Sequence, residues 1–415
     1  MDNQISILVN SDSDSADMPF YIKLTKLPKT CEILVRMTLH YYYCINAPMT
    51  LSLKSPWVCE AMYVSDSNGN INLETSIGLS KYGEIKSSMD LYFNCHPEKL
   101  IKSQLSNDFS EIPLSKDVLV KIEVFQNKEL IGNRLFKRYY QLPNVISKEI
   151  RLEHAFARLF YISSNRKLPA IIVLSGSEGR IEKAQNIAQV LANHGFATIA
   201  VAYFALEGLP QYLQKIPLEV VKETIDALKK NPHIDSDRIG IYGRSKGAEM
   251  ALLAGTYFKE IKCLVLNSPS SQVLEGLNRW RNSKTSTWTL QTKEIPYRPF
   301  KFRDLIFQKI GWRRERQAYL EYDIAAEYLS GPILQIASKR DEVWDAELSS
   351  QNIEKRLKKY RFPFYHEKLI YNSCGHMMTI AYQPNHRYSK RSWKEIMNES
   401  NDSWKRTVGF YKERL

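Results

Sequence analysis

A serine stands between two glycines where a predicted strand meets a predicted helix. The run Gly243-Arg244-Ser245-Lys246-Gly247 follows the apolar segment Ile239–Tyr242 and opens a helix from Ala248. A tight strand-to-helix turn exposes the serine hydroxyl and points free N–H groups of the helix start at the place where negative charge develops. This arrangement is typical of a serine that attacks an acyl carbon. We therefore predict that Ser245 is a nucleophile.

A serine nucleophile of the α/β-hydrolase type needs a base and an orienting acid, which follow it along the chain. Three histidines follow Ser245. His376 lies in the loop after the last predicted strand, whereas His366 falls within that strand and His386 lies in a polar basic stretch. A loop at the carboxyl end of a strand is where such a base belongs. We predict that His376 takes the serine proton.

The orienting acid is expected in the loop after the preceding predicted strand, residues 332–337. Asp341 lies there, and its neighbours Glu342 and Asp345 remain possible substitutes. We predict that Asp341 holds the imidazole in the required tautomer. The tetrahedral oxyanion would be bound by the backbone N–H of Lys246 and by a second N–H, assigned to Ser177 in the loop after another strand.

The elements that position these residues divide the chain into two unlike halves. Residues 18–142 contain about seven short predicted strands, including Val118–Gln126 and Met89–Asn94, and no convincing helix. Several of them, such as Val118–Val124, alternate apolar and polar residues. From residue 168 onward, buried apolar strands alternate with amphipathic helices, which indicates a parallel sheet covered on both faces.

The predicted fold class is therefore α/β, with a C-terminal α/β-hydrolase domain preceded by an N-terminal β-sandwich domain of immunoglobulin-like type. We place the β-sandwich at residues 1–145 and the catalytic domain at residues 146–415. A basic lid insertion is predicted within the catalytic domain at about residues 270–325.

Composition excludes several classes of protein. The chain has 415 residues, 44% of them apolar, and 58 Lys and Arg against 45 Asp and Glu, which leaves a net charge of +13. No stretch reaches the ~20 apolar residues of a membrane helix, so we expect no stable membrane insertion. The start Met1-Asp2-Asn3-Gln4 lacks the features of a secretory signal, which predicts a cytoplasmic location. The six cysteines include no C-x-x-C pair, which indicates scattered thiols and no disulfide or zinc framework. We expect no metal and no cofactor.

The C-terminal half resembles the acyl-CoA thioester hydrolase / bile acid-CoA:amino acid N-acyltransferase family. The segments that carry the resemblance are 173–179, 203–210, the Ser245 turn, 266–269, Asp341 with Trp344, and Gly375-His376 followed by Pro384. Family members also carry an N-terminal β-sandwich, which matches the strand-rich first half. The loop at 175–179 is less glycine-rich than the family pattern, and the cations Arg244 and Lys246 beside the serine are unusual.

The resemblance implies cleavage of an acyl thioester, typically acyl-CoA, with Ser245, Asp341 and His376 as the triad. The branch of the family that conjugates amino acids uses a cysteine nucleophile, so a serine favours transfer of the acyl group to water. An acyl-CoA-dependent N-acyltransferase and a carboxylesterase remain the enzyme alternatives. An inactive binding protein that kept the hydrolase fold is the alternative from another class.

Most of the excess positive charge lies in one segment. Residues 279–316 carry eleven Lys or Arg against three acidic residues, together with seven aromatic residues. A basic, aromatic lid would bind the phosphates and adenine of CoA, with Arg313, Arg314 and Arg316 as the predicted substrate-binding residues. A solvated cover with its aromatic residues packed underneath is the alternative.

Interleaved basic and aromatic residues also occur in proteins that bind single-stranded nucleic acid. No recognition helix, RNA-binding sheet signature or zinc spacing accompanies them in this sequence. We therefore predict a small anionic partner, acyl-CoA or a related acyl ester, and no nucleic acid. The sequence leaves the oligomeric state open.

Overall fold

The computed structural model describes residues 5–43, 50–279, 281–300, 321–378, 380–385 and 392–415. The chain divides into two compact units. The first comprises Met1–Leu105, Ser115–Pro143 and Thr379–Asp402, and the second comprises Ser106–Leu114, Asn144–Met378 and Ser403–Leu415.

The first unit is built from two antiparallel sheets. Its strands are β1 (Ser6–Ser11), β2 (Phe20–Thr25), β3 (Glu32–His40), β4 (Trp57–Val64), β5 (Ile71–Asn72), β6 (Gly78–Ser80), β7 (Gly83–Ile85), β8 (His96–Pro97), β9 (Asp117–Gln126) and β10 (Glu129–Tyr139). One sheet has the order β1-β2-β5, and the other has the order β10-β9-β3-β4-β6-β7 with β8 beside β4. The rings of Phe20 and Phe136 pack edge to face between the sheets, with centroids 5.1 Å apart.

Alternation along the strands explains why this unit forms. In β9 the buried side chains are Val118, Val120, Ile122 and Val124. Because successive strand residues point to opposite faces, this period of two directs one apolar face inward. The predicted antiparallel β-structure of the N-terminal half is confirmed.

One predicted strand of this unit is wrong. The segment assigned as a strand at Met89–Asn94 forms a short helix, α1 (Ser88–Phe93), all of whose residues are buried. The Ser87 side chain accepts the N–H of Asp90 at 3.0 Å and so caps the helix start. Because α1 is buried on every side, its sequence lacks the polar face that marks an amphipathic helix, and the pattern could not distinguish it from a strand.

The second unit contains an eight-stranded sheet. The strands of this unit are β11 (Val145–Arg151), β12 (Phe156–Ile162), β13 (Leu168–Leu174), β14 (Ala197–Ala202), β15 (Ile216–Pro217), β16 (Ile234–Arg244), β17 (Ile261–Asn267), β18 (Glu275–Asn278), β19 (Arg281–Ser286), β20 (Trp288–Leu290), β21 (Lys293–Glu294), β22 (Ile333–Ser338) and β23 (His366–Tyr371). The main sheet has the order β11-β12-β14-β13-β16-β17-β22-β23. From β14 to β23 neighbouring strands are parallel, whereas β12 runs antiparallel to both of its neighbours.

Helices connect the parallel strands and cover the sheet. They are α2 (Glu182–Asn193), α3 (Glu219–Lys229), α4 (Lys246–Tyr257) and α5 (Ala346–Lys359), and α6 (Trp393–Arg414) follows the last strand. In α3 the buried residues recur at helical spacing and form one apolar stripe: Val220, Val221, Thr224, Ile225 and Leu228. A parallel sheet with crossover helices places the carboxyl ends of its strands at one edge, where loops can carry functional side chains. The predicted α/β-hydrolase fold is confirmed.

The first two strands of this sheet, β11 and β12, lie before the region predicted to be α/β. β11 reads Val-Ile-Ser-Lys-Glu-Ile-Arg and forms an edge of the sheet, so several of its side chains are exposed. Such an edge strand lacks the continuous apolar run that marks a strand buried on both faces. The described part of the basic insertion also contains short strands, since β18 pairs with β19 and β20 pairs with β15 and β21.

Candidate active site

The turn at Ser245 has the strained geometry of a nucleophile elbow. Ser245 joins β16 to α4 with φ 58° and ψ −125°, a backbone conformation rare for any residue with a side chain. A Cβ at Gly243 would lie 2.3 Å from the Gly247 carbonyl oxygen, and a Cβ at Gly247 would lie 2.3 Å from the Ser175 oxygen. Only glycine fits at either position, so the turn requires both glycines of the motif.

The structure brings Ser245, His376 and Asp341 into one line of hydrogen bonds. His376 Nε2 lies 2.8 Å from Ser245 Oγ, and His376 Nδ1 lies 2.7 Å from Asp341 Oδ2. The side chains of His376 and Asp341 are 4% and 2% exposed. With Nδ1 protonated toward the carboxylate, Nε2 can accept the serine proton. The arrangement can therefore activate a hydroxyl for attack on an electrophilic carbon.

The structure distinguishes Asp341 from Glu342 and Asp345, the two carboxylates that the sequence leaves as possible orienting acids. Glu342 Oε2 accepts the backbone N–H of His376 at 2.9 Å. Asp345 caps α5 by accepting the N–H of Leu348 at 2.9 Å. Neither of these two contacts involves the imidazole ring, so Asp341 is the residue placed to orient it.

His366, which the sequence also offered as a base, does not join this arrangement. His366 lies on β23, where its Nδ1 is 3.0 Å from Glu354 Oε2, so its ring is hydrogen-bonded away from Ser245. His386 lies outside the described residues.

The loop that carries His376 is held from two sides. The Ser268 hydroxyl donates to the His376 carbonyl oxygen at 2.8 Å, and Asn267 Nδ2 donates to the Met378 carbonyl at 3.2 Å. The Trp344 ring packs edge-on against the imidazole, with centroids 4.9 Å apart. The segment 266–269 and Trp344 are among the segments that carry the family resemblance. Their contacts explain why, since they hold the His376 loop and its ring in place.

The loop at residues 175–179 lies directly against the serine. A Cβ at Gly176 would lie 3.1 Å from Ser245 Oγ. The Gly176 N–H donates to Glu178 Oε1 at 3.3 Å, whereas none of the described residues accepts the N–H of Ser177. Lys246 is the first residue of α4, so its N–H has no partner within the helix. Ser177 and Lys246, which follow Gly176 and Ser245 in the chain, thus retain N–H groups that could bind an oxyanion.

Two family models match consecutive parts of the chain. Residues 17–152 match the acyl-CoA thioester hydrolase/BAAT N-terminal region, and residues 216–415 match the BAAT / acyl-CoA thioester hydrolase C-terminal region. The chain belongs to the acyl-CoA thioester hydrolase / bile acid-CoA:amino acid N-acyltransferase family. The resemblance predicted from the motifs is confirmed.

Relatives in this family have names of two kinds. Acyl-coenzyme A amino acid N-acyltransferase 1 of Mus musculus is 24% identical over 414 residues, which cover 95% of this chain and 90% of that protein. Peroxisomal succinyl-coenzyme A thioesterase of Mus musculus is 25% identical over 382 residues, which cover 86% of each chain. A solved structure described as a putative dienelactone hydrolase from Klebsiella pneumoniae aligns with a TM-score of 0.45 and 16% identity, over 65% of this chain and 99% of that one.

In this family member the Lys246 side chain has a role that sequence reasoning missed. Its Nζ lies 2.9 Å from Glu249 Oε2 and 2.7 Å from Thr287 Oγ1, and the two charged side chains are 4% and 0% exposed. Glu249 also accepts the Trp288 Nε1–H at 2.7 Å and the Leu274 N–H at 3.0 Å. The network joins the helix after the elbow to the start of the basic insertion. The Lys–Glu spacing of three in a predicted helix is the signal that could have indicated the pair.

Burial dominates the titration of this pair. It lowers the pKa of Lys246 below its usual value, although the Glu249 carboxylate opposes the shift. Burial likewise raises the pKa of Glu249, against the effect of Lys246 and three hydrogen bonds. Each group therefore depends on the other to stay charged in the core.

We expect Lys246→Met to destabilise the protein, because it leaves the Glu249 carboxylate buried without its cation. The expected loss in free energy of unfolding is about 3–5 kcal/mol. Urea unfolding followed by circular dichroism measures it. Lys222→Met is the matched control, since Lys222 pairs with Asp226 on an exposed face of α3 and its loss should cost under about 1 kcal/mol. Equal losses in the two variants would contradict this reading of the Lys246 network.

The predicted substrate-binding residues Arg313, Arg314 and Arg316 lie outside the described residues. The described part of the insertion is attached to the rest of the unit, since the Ile216 N–H of β15 donates to the Thr287 oxygen at 2.8 Å. The start of the insertion is therefore hydrogen-bonded to β15 and, through the Lys246 side chain, to the helix that follows Ser245.

A second cluster of possible ligands lies away from the serine. Ligand atoms of Glu153, His154 and Glu223 lie within 4.8 Å of one another. His154 Nδ1 is 2.5 Å from Glu223 Oε1, and the Glu223 carboxylate also accepts the His154 N–H at 3.0 Å. The two hydrogen bonds from His154 to the Glu223 carboxylate account for the closeness of these groups without a metal ion.

Within the described ranges, no helix is both long enough and apolar enough to cross a bilayer.

Proposed function

We propose that the protein hydrolyses acyl-CoA thioesters to the free acid and CoA through an acyl-enzyme on Ser245. The observation that supports this most is the line of hydrogen bonds from Ser245 through His376 to Asp341 in a chain of this family. The α/β-hydrolase fold presents that line at the carboxyl edge of the sheet, where loops can admit a substrate.

In the proposed mechanism, Ser245 Oγ attacks the thioester carbonyl carbon while His376 Nε2 takes the hydroxyl proton. The oxyanion is bound by the N–H groups of Lys246 and Ser177. The C–S bond then breaks, and His376 returns the proton to the sulfur so that CoA leaves as the thiol. Water attacks the acyl-enzyme with His376 again as base, which releases the acid and regenerates Ser245.

Transfer of the acyl group to an amine is the second candidate reaction. It deserves a test because the relatives include an amino acid N-acyltransferase of similar length. The family's conjugating branch uses a cysteine nucleophile, whereas this chain has a serine, so we favour water as the acceptor. A carboxylesterase with an oxygen ester as substrate is the third candidate, and an inactive binding protein is the fourth.

The test is CoA release from a series of acyl-CoA chain lengths, detected as free thiol, with and without glycine or taurine. Hydrolysis predicts equal amounts of acid and thiol in both conditions. Acyl-glycine or acyl-taurine in the products would identify a transferase. Turnover of p-nitrophenyl esters without thiol release from any acyl-CoA would identify a carboxylesterase. Absence of turnover on all substrates would leave only the binding protein.

We also propose that the basic insertion binds the phosphates of CoA. Replacing Arg313, Arg314 and Arg316 together by glutamine is expected to raise the KM for acyl-CoA about tenfold or more, because three charge-assisted contacts are lost. The kcat should change little, since these side chains bind the part of the substrate that does not react.

The matched control replaces three exposed lysines of the second unit, Lys355, Lys359 and Lys412, by glutamine. This variant has the same change in net charge, so it measures the effect of overall charge on the KM. A KM increase of the same size in both triple variants would reject the insertion as the CoA site. An unchanged KM in the arginine variant would reject it as well.

The predicted domain limits and location remain part of this proposal. We propose residues 146–415 as the catalytic domain, with residues 1–145 as an accessory β-domain and a lid at about 270–325. We also propose a cytoplasmic location, which fractionation of cells expressing the full chain would test. Sedimentation in a membrane or organelle fraction would reject it.

A further inference from the structure

Two unusual residues of the motif pattern contact each other in the structure. Glu178 makes the loop after β13 less glycine-rich, and Arg244 places a cation directly before the nucleophile. The Arg244 Nη2 group donates to Glu178 Oε1. The two residues are 66 positions apart in the chain. The two departures from the family pattern, Glu178 and Arg244, therefore form one interaction in this chain.

Arg244 connects the three segments that form the candidate site. Its side chain is 0% exposed, and it belongs to the elbow itself. Through Nη2 it reaches Glu178 of the loop at 175–179, and through Nη1 it contacts the sulfur of Met377, the residue after His376. One buried guanidinium thus contacts the loops on both sides of Ser245.

Glu178 transmits this contact to the backbone beside the nucleophile. Its Oε1 accepts the Gly176 N–H at 3.3 Å. A Cβ at Gly176 would lie 2.8 Å from the Ser245 Cβ, so the loop backbone is in close contact with the serine side chain. The N–H of Ser177 follows directly. A shift of the Glu178 carboxylate would therefore move the backbone at Ser177 relative to Ser245.

Charge favours the same arrangement. Burial by itself raises the pKa of Glu178, but the guanidinium of Arg244, with Lys183 and backbone N–H groups, more than offsets this and leaves the pKa below its usual value. The carboxylate is therefore ionised at neutral pH, and the cation beside it compensates its charge. Without that cation, a bare carboxylate would lie next to the place where the oxyanion forms.

We propose that the ion pair between buried Arg244 and partly buried Glu178 holds the loop at 175–179 in the position that binds the oxyanion, so that both are positioning residues for the reaction at Ser245. The inference rests on the proposed function in one respect: the reaction must pass through an oxyanion next to Ser245. The pair acts on transition-state binding, because an oxyanion exists only after attack has begun.

The test compares Arg244→Met, Arg244→Lys, Glu178→Gln and the double variant Arg244→Met/Glu178→Gln in the full chain. Arg244→Met is expected to lower kcat about 100-fold or more, comparable to the loss of one oxyanion donor, with KM within about threefold of wild type. Arg244→Lys keeps the charge and should recover at least about tenfold of that loss. The double variant should be no slower than Arg244→Met, because both substitutions break one interaction.

Two features keep the test decisive if Arg244→Met unfolds. Glu178→Gln leaves no unpaired buried carboxylate, and the double variant leaves neither charge. Both should still lower kcat while KM stays near the wild-type value. The matched control is Arg356→Met, which removes an ion pair with Glu327 in the same unit, at a distance of 2.7 Å from Nη2. Arg356 makes no described contact with the three site segments, so this variant should keep its kcat.

A fluorophosphonate probe separates this inference from the proposed substrate. The probe phosphonylates an activated serine with loss of fluoride, and its phosphoryl oxygen occupies the oxyanion position, so labelling needs no CoA ester. If wild type is labelled at Ser245 but turns over no acyl-CoA, the proposed function fails, and the labelling rates of the same variants still test the pair. Folded Arg244→Met that keeps kcat and labelling within about threefold of wild type would overturn the inference. A loss of kcat in the double variant equal to the product of the two single losses would also overturn it. A wild type that the probe does not label would overturn it as well.

Discussion

Ser245→Ala should lose about 10⁶-fold in kcat for acyl-CoA hydrolysis. The alanine leaves His376 and Asp341 in place but removes the only atom that forms the acyl bond. The remaining rate would come from binding and from the oxyanion donors acting on direct attack by water. Thiol release at saturating acyl-CoA measures the loss, and mass spectrometry of a stopped reaction should detect the acyl adduct in wild type alone.

A matched control separates loss of the nucleophile from loss of any buried hydroxyl. Ser350 on α5 is also buried, and its hydroxyl has no hydrogen-bond partner among the described residues. Ser350→Ala should keep kcat within about twofold, because no reacting group depends on it. Thiol release that survives in Ser245→Ala would reject Ser245 as the nucleophile and with it the proposed mechanism.

Asp341→Asn should lower kcat about 10⁴-fold with little change in structure. The carboxylate at 2.7 Å from His376 Nδ1 selects the tautomer in which Nε2 is free to accept the serine proton. An amide at this position can donate its own N–H to Nδ1, which favours the wrong tautomer and cannot stabilise the imidazolium. The variant should fold normally, so its unfolding curve should overlay that of wild type.

The neighbouring carboxylates provide the controls for this prediction. Glu342→Gln keeps an oxygen that can accept the His376 backbone N–H, and Asp345→Asn keeps a good cap for α5. Both should therefore lose much less activity than Asp341→Asn, within about tenfold of wild type. A larger loss in either variant than in Asp341→Asn would move the orienting role to that residue.

The sequence predicted most of what depends on short-range pattern. Gly243 is required by a close backbone approach within the turn of five residues, and Gly247 is required by the approach of Ser175. Both glycines flank Ser245 at fixed short spacing, so the sequence shows the elbow. The parallel strands β14 and β17 are mostly apolar, with β14 buried at every position and β17 buried from Cys263 onward, because both faces of the sheet are covered there. The segment at Met89–Asn94 was misassigned because it is buried on every side, which removes the contrast that marks a helical period.

Tertiary structure alone decided which partners meet. Asp341, Glu342 and Asp345 lie within five positions of one another. The sequence favoured Asp341 but left the other two open, because the fold of their loop determines which carboxylate faces the imidazole. That loop places Asp341 Oδ2 against His376 and turns Asp345 toward the N–H of Leu348. The Lys246 side chain meets Thr287 across 41 positions of sequence for the same reason.

The sequence by itself determined the type of chemistry, since a serine in an elbow, followed by an acid and a histidine at later strand ends, is a local and ordered signal. Only the folded chain decided how that chemistry is held in place. Arg244 and Glu178 are separate departures from the motif in the sequence, yet in the structure the buried guanidinium of Arg244 pairs with Glu178 next to Ser245. A buried charge must find a counter-charge, and the sheet brings that partner from a strand distant in sequence.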